Sequence, residues 1–230
     1  MKKGILVTAS TFPRWKNDVT ARFVYDLSVR LGKFYDVTVL APHHKGALKD
    51  EKIDNILVKR FIYFFPESLQ KLCYGGGIIP NMNSSFLARI QMPSLIFSEF
   101  IAAAKIIKER KIDVLHAHWM LPQGLVGVFL KKIFGIKLLV TIHGSDLFPL
   151  KNYLFNKLQK YTLKNADVIT VNTEATRKEL ESRFKGFSSK VRIIPMGVDC
   201  DLFKKKKVKK PVKYLKNKIL LFVGRLSDQK

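Results

Sequence analysis

Ile5-Leu6-Val7-Thr8-Ala9, then Val19 to Phe34, then Val37-Thr38-Val39-Leu40-Ala41 is the stretch on which the fold turns. Two short β-branched runs enclose a segment of helical length, which predicts strand, helix, strand: one βαβ unit. The alternation continues outward. Asn55 to Phe64, Ile112 to His116, Lys137 to Ile142, Asp167 to Val171 and Val191 to Ile194 are apolar runs without clean alternation, as strands buried on both faces require. Between them, Pro93 to Arg110 spaces Leu95, Phe100, Ile101, Ala104 and Ile107 along a helix. Gln123 to Phe134, Leu150 to Lys164 and Thr173 to Phe184 read as further helices, with Thr173 as an N-cap and Asn165-Ala166 closing the helix before it. The fold class that follows is α/β, a doubly wound Rossmann-like parallel sheet.

A change of composition marks the end of that domain. Nine lysines fall within 204–218, a stretch without an acid, and such a stretch cannot bury enough surface to be core. The organisation expected is a domain over 1–203, a Lys-rich linker over 204–218, and over 219–230 the first strand and turn of an incomplete second domain, opened by Ile219-Leu220-Leu221-Phe222-Val223. The whole chain of 230 residues is 47% hydrophobic and 26% charged, which excludes disorder throughout. Glu99 with Lys105, and Lys131 with Lys132, interrupt the longest apolar segments, so no run reaches the ~18 to 20 residues of a spanning helix. The apolar run behind Met1-Lys2-Lys3 meets Pro13 and Arg14 too soon for a secretory signal, and Cys73 and Cys200 make no disulfide framework. A cytoplasmic setting is expected.

The net charge is +24, and removing the nine linker lysines still leaves +15. Such a field favours anionic partners: nucleic acid, lipid headgroups or phosphorylated small molecules. No nucleic-acid reading motif accompanies the charge, so specific nucleic-acid binding is not expected. The helix from Leu150 sets Lys157, Lys160 and Lys164 beside Leu154, Leu158 and Tyr161, the pattern either of a membrane-surface contact or of a solvated face. Residues 61–100, rich in Phe, Tyr, Leu and Ile around Gly75-Gly76-Gly77, suit either a flap for a lipid tail or an insertion packed on the sheet.

In open parallel sheets ligands sit beyond the carboxyl ends of the strands, and three such places are polar here. Ser10 to Thr20 follows the first strand and leads into a helix N-terminus. His116-Ala117-His118-Trp119 puts two histidines on one strand face, with His118 lining the cleft and His116 a hydrogen-bonded core residue. His143-Gly144-Ser145-Asp146 puts a histidine at a strand end, a glycine that allows close approach, and an aspartate able to hold the histidine ring or cap the next helix. His116, His118, His143 and Asp146 are not read as a metal set, nor is Asp199-Cys200-Asp201. Neither GxGxxG nor GxxxxGK[ST] occurs, which removes the main support for dinucleotide and Walker-type chemistry.

The chain resembles the family 4 retaining glycosyltransferases of GT-B fold. The likeness rests on Thr11-Phe12-Pro13-Arg14-Trp15, Tyr74-Gly75-Gly76-Gly77, His116-Ala117-His118-Trp119, His143-Gly144-Ser145-Asp146, Pro195-Met196-Gly197-Val198-Asp199 and Val223-Gly224-Arg225-Leu226, in that order and spacing. It departs from the family at Lys16-Asn17-Asp18, where paired glycines are frequent, and at Met196, where asparagine is usual. The resemblance implies a nucleotide-diphosphate sugar as donor, no cofactor or metal, and a glycan or lipid-linked acceptor; the basic surface is expected to hold the chain at an anionic membrane surface. It implies His143 and Asp146 as catalytic residues, and Gly144, Arg225 and Lys230 at the donor. Arg14, Trp15, Asp18, Thr20 and His118 fall on the acceptor side. Fixed cations at the donor diphosphate stabilise the charge that grows as the sugar leaves. The family's Glu-x7-Glu pair belongs to the second domain and has no match here, so the expectation is half a site, inactive until a second domain joins it from this or another chain. The rival readings are a non-catalytic basic binding protein, an inactive remnant, or a nucleotide-sugar epimerase on the same fold.

Overall fold

The computed structural model describes residues 2–201, 203–204 and 218–223. Its first half runs β1 (Gly4–Thr8), α1 (Arg22–Leu31), β2 (Asp36–Pro42), β3 (Asp50–Ile53), β4 (Ile56–Phe61), α2 (Ile78–Ser84), α3 (Phe86–Ile90) and α4 (Met92–Glu109). There follow β5 (Val114–His118), α5 (Leu125–Phe134), β6 (Lys137–Ile142), α6 (Tyr153–Asn165), β7 (Val168–Val171), α7 (Glu174–Arg183) and β8 (Val191–Ile193). Eight strands form one sheet in the order β3-β4-β2-β1-β5-β6-β7-β8, parallel except for β3 against β4. The order reverses at β1, and the crevice beside it, between β1 and β5, is the natural ligand position of such a sheet.

Period-two alternation within the central strands builds a core on each face of the sheet. Ile5, Val7, Val37, Val39 and Val58 join one cluster, with Val24 of α1. Leu6 and Leu40 point the other way, into a larger core shared with Leu95, Leu130, Leu163 and Leu180 of α4 to α7. This is the doubly wound arrangement expected. Thr173 caps α7 as predicted, its Oγ1 accepting from the Thr176 N–H at 3.1 Å, and Asn152 caps α6 in the same way. At Gly4 any side chain would collide with the Lys111 carbonyl, so β1 enters the sheet where only glycine fits. Residues 61–100 are packed onto the sheet: Tyr63, Leu72, Cys73, Ala88 and Leu95 lie inside the larger core.

Two readings need adjustment. The apolar spacing of α4 points to Leu95, Phe100, Ile101, Ala104 and Ile107; Leu95 is buried and Phe100, Ala104 and Ile107 pack partly buried against the core, but Ile101 is exposed and the other buried residues are Glu99, Ala103 and Ile106. The helix is rotated so that an acid faces inward, because Gln123 waits there: its Nε2 donates to Glu99 Oε2 at 3.2 Å. Ile101 and Phe97 are left in solvent. The hairpin partner β3, built from the charged Asp50-Glu51-Lys52, carried no strand pattern in the sequence. Its turn is made at Asp54, with φ +50°, a conformation aspartate tolerates better than most residues. Residues 218–223, where a strand of the second domain is expected, carry no regular structure, and the turn expected over 224–230 lies outside the described residues. A strand is held by ladder bonds to a neighbour, and none is bonded to 218–223 among the described residues.

Met1–Gly197 form one compact unit and Val198–Lys230 a second. The linker lysines 205–217, and Arg225 and Lys230, lie outside the described residues. Among the described residues, no helix is long and apolar enough to cross a membrane.

Candidate active site

Two groups of side chains gather at the carboxyl edge of the sheet. The first is the loop after β1. Phe12 is fully buried and packs on Tyr25 of α1, which pins the start of the loop. Asp18 staples the rest. Its Oδ2 accepts from the Arg14 backbone N–H at 2.9 Å and from Arg14 Nε at 2.7 Å, while Oδ1 accepts from the Thr20 N–H and Oγ1 at 3.0 and 2.8 Å. Burial by itself would raise this carboxyl, but the bonds from Arg14 and Thr20 outweigh it and hold the group below the ordinary carboxylate range. Arg60, its side chain wholly buried, anchors the loop from below by donating to the Pro13 carbonyl at 2.8 Å.

Of the residues expected on the acceptor side, Asp18 and Thr20 are therefore spent within the loop, while Arg14 and Trp15 form its outer surface. The Arg14 guanidinium lies 4.3 Å from the Trp15 ring and 5.7 Å from the Tyr74 ring. His44 completes the cluster against Trp15 and Tyr74. A cation within reach of two aromatic rings, with Trp15 45% exposed, makes a platform suited to a ring-shaped polyhydroxylated ligand carrying negative charge. Replacing Asp18 with alanine leaves two backbone N–H groups and the Arg14 head without their acceptor. We expect a loss of about 1–3 kcal/mol in urea unfolding and faster proteolytic cutting within 13–20; a wild-type cutting rate would show that the staple does not order the loop.

The second group is a polar ladder across β5, β6 and β7. His118 pairs in register with Thr141, and Thr141 with Thr170. Side chains two apart share a face, so each β5 histidine meets the β6 residue one step diagonal to its partner. His116 Nε2 and Thr141 Oγ1 are 2.7 Å apart, and Thr141 Oγ1 lies 2.6 Å from Thr170 Oγ1. By the same diagonal, His118 Nδ1 lies 2.9 Å from His143 Nε2, the two rings tilted by only 13°. Burial alone holds His116 down at about 4; burial, with a smaller push from neighbouring imidazoles, holds His143 at about 3 and keeps His118 well below its usual value. All three are neutral at pH 7.

That neutrality fixes where the protons sit. His118 Nε2 is buried and has no partner among the described residues. An orphaned lone pair is cheaper to bury than an orphaned N–H, so the His118 proton resides on Nδ1 and is donated to His143 Nε2. His143 then carries its own proton on Nδ1, and that nitrogen, without a partner among the described residues, is a hydrogen-bond donor. Trp119 and Phe23 enclose this ring, each 4.9 Å away centroid to centroid, and Trp119 Nε1 donates to Ser145 Oγ at 3.1 Å.

Asp146 neither reaches the His143 ring nor caps a helix. Its carboxylate bridges the loops after β5 and β6, accepting from the Met120 N–H at 2.7 Å and the His143 N–H at 3.1 Å. Burial pushes it up to about 6 against the pull of those N–H groups. Gln159 of α6 donates to the Asp146 carbonyl at 2.7 Å. Gly144 turns at φ +88°, a conformation that favours glycine, and a Cβ there would sit a tight 3.2 Å from the Phe148 ring. Trp119 stood inside a quoted motif, but nothing local in the sequence marked Phe23, His44 or Arg60 as neighbours of these groups.

A family model described as Glycosyltransferase Family 4 matches residues 20–202. The match takes in Thr20, His118, His143, Gly144 and Asp146, and begins after Arg14, Trp15 and Asp18. The chain is 31% identical over 120 residues to the uncharacterized glycosyltransferase MJ1178 of Methanocaldococcus jannaschii, a match covering 52% of this chain and 34% of that protein. It is 26% identical over 153 residues to MJ1059 of the same organism, also named an uncharacterized glycosyltransferase, covering 60% and 38%. Among solved structures, Anabaena Alr3699/HepE in complex with UDP and glucose superposes with a TM-score of 0.56 at 13% identity, over 90% of this chain and 48% of that one. Arabidopsis thaliana UGT89C1 complexed with UDP gives 0.54 at 14%, over 87% and 51%. The chain thus spans little more than a third of the curated relatives it matches and about half of the solved chains whose fold it shares.

Proposed function

The chain belongs to glycosyltransferase family 4, and from that premise we propose that the protein moves a sugar from a nucleoside-diphosphate donor to a glycan or lipid-linked acceptor. The observation that carries the reading is the His118–His143 pair at 2.9 Å on the carboxyl edge of β5 and β6. It gives the crevice a neutral, oriented donor able to bind a sugar hydroxyl without adding charge to the site. The two UDP-bound structures of like fold agree with such a donor. The Arg14–Trp15–Tyr74 platform, at the end of the neighbouring strand, suits the acceptor. Arg225 and Lys230 are proposed for the donor diphosphate, in a second domain that completes the site. The net charge of +24 supports a position at the cytoplasmic face of an anionic membrane.

The test incubates the product of the complete reading frame with a panel of UDP-, GDP- and ADP-sugars, with extracted lipid and glycan fractions as acceptors, and measures release of the nucleoside diphosphate. Acceptor-dependent release with one donor is expected. Saturable donor binding without release would instead support the rival of a non-catalytic binding protein, and neither binding nor release would remove the reading.

A further inference from the structure

The exposed faces of α4, α5 and α6 repeat one pattern. On α4, Pro93, Phe97 and Ile101 follow one another at i, i+4 spacing, and the same row continues into Lys105 and Lys108. On α5, Phe129 comes first and Lys132 after it; on α6, Tyr153 and Leu154 come first, then Lys157, Lys160 and Lys164. All of these side chains are exposed, Phe97 to 67% and Tyr153 to 83%. Exposed aromatic rings of this kind are uncommon on a soluble surface, and Phe97 and Phe129 line one groove.

The three helices lie side by side. Met92, Ile96, Phe97 and Phe100 of α4 and Val126 and Phe129 of α5 line one groove of about 440 Å³. Lys132 Nζ of α5 donates to Tyr161 Oη of α6 at 2.6 Å. They also run the same way, since α4 leads into β5 while α5 and α6 leave β5 and β6, and β5, β6 and β7 are parallel. Their N-terminal halves therefore stand at the carboxyl edge of the sheet, the edge that carries His143. Apart from Ile133, which is exposed beside Lys132 in the last turn of α5, the apolar side chains form a band toward that edge and the lysines a second band behind it. Acids are nearly absent: α5 and α6 contain none, and of the two on α4, Glu99 is buried and Glu109 is paired with Lys105 at 3.7 Å.

We infer that this face docks on an anionic lipid bilayer, the aromatic band dipping among the acyl chains and the lysine band lying on the headgroup phosphates. An apolar groove alone would accept many occupants. A cationic band set beside an apolar one, with no free acid between them, matches the order of charge and hydrocarbon at an anionic membrane surface. Lysine stems can lie along apolar surface while their heads stay with the phosphates. The inference rests on the reading that the acceptor is lipid-linked, and it sets the crevice close to the bilayer.

The experiment uses the full chain with vesicles of mixed phosphatidylglycerol and phosphatidylcholine at low salt. Co-sedimentation should be strong, should weaken as salt rises, and should fall about tenfold or more in a Phe97→Ser, Phe129→Ser variant. Because both rings are exposed, the variant should keep the parent's melting temperature. Replacing Lys157, Lys160 and Lys164 with glutamine should cost roughly fivefold per lysine. A Phe97→Trp variant should gain fluorescence that brominated acyl chains quench beyond the quenching seen in the parent. Undiminished binding of the double serine variant, or an unquenched Trp at position 97 in vesicle-bound protein, overturns this surface while leaving membrane attachment standing. A concentration-dependent doubling of mass that the serine variant abolishes would overturn it in favour of a second copy of the chain. Absence of vesicle binding by the parent at low salt removes the surface and the membrane reading together, and sugar transfer to soluble glycans would survive it.

Discussion

Glu99→Gln is expected to stabilise the protein at about pH 8 by several kcal/mol while leaving it close to the parent at about pH 5. Glu99 is buried in α4 and accepts one hydrogen bond, from Gln123 Nε2; its other oxygen and Gln123 Oε1 have no partner among the described residues. Burial pushes the carboxyl from 4.5 up to about 8, against a smaller pull from Gln123. The folded pKa is thus raised, so between 4.5 and about 8 the native state holds a proton that the unfolded state has released. Stability then falls as pH rises, by up to about 1.4 kcal/mol per unit, a total on the order of 3 to 5 kcal/mol at the top of the window. Glutamine does not titrate, and its amide supplies the donor that the protonated acid offers to the orphaned Gln123 oxygen. Urea unfolding of parent and variant across that range should give converging stabilities at the acid end and a widening gap toward the alkaline end. Parallel profiles would mean that Glu99 is ionised in the native state and held by a partner not described here.

Why α4 presents this acid inward bears on what can be read from a chain. The strands were legible because a strand buried on both faces is mostly apolar, and Leu138, Leu139, Val140 and Ile142, like Val168, Ile169 and Val171, satisfy that without help from distant residues, Thr141 and Thr170 being the buried polar exceptions. The Thr173 cap was legible because capping is settled within four residues. The face of α4 was not, since apolar spacing assigns burial by side-chain type, and the partner that makes an inward Glu99 tolerable is Gln123, 24 positions on. In the candidate site, the histidines at strand ends were recognisable as ligands of the crevice, but their pairing was not. It depends on the β5–β6 register, which sets His118 beside Thr141 and so one diagonal step from His143. Asp146 illustrates the same limit. A carboxylate three residues after a histidine suggests a bond to its ring, yet the unpaired N–H groups of His143 and Met120, left where two strands end, claim both oxygens first.

That register also governs the second large effect. His143→Ala in the active enzyme should lower turnover by about 10²–10³-fold, the usual cost of removing one oriented donor from a site where charge develops. The loss should fall mainly on kcat if the imidazole N–H tightens on the sugar as its bond to phosphate lengthens, and mainly on KM if it binds the ground state equally. His118 acts through His143, so it is a positioning residue. His118→Phe should cost about tenfold, because it frees His143 to take either tautomer and only one presents Nδ1–H. His118→Asn should restore most of that loss, since an asparagine Nδ2 stands where the histidine Nδ1 stood and can donate to His143 Nε2. A merely structural His118 would show no such rescue. The pH profile gives an independent reading: burial holds His143 at about 3, so kcat/KM should show no limb near the ordinary histidine value of 6.5 in the parent. A limb there that disappears with His143→Ala would mean the ring works in its charged form, and the proton assignment built on the orphaned His118 Nε2 would have to be reversed.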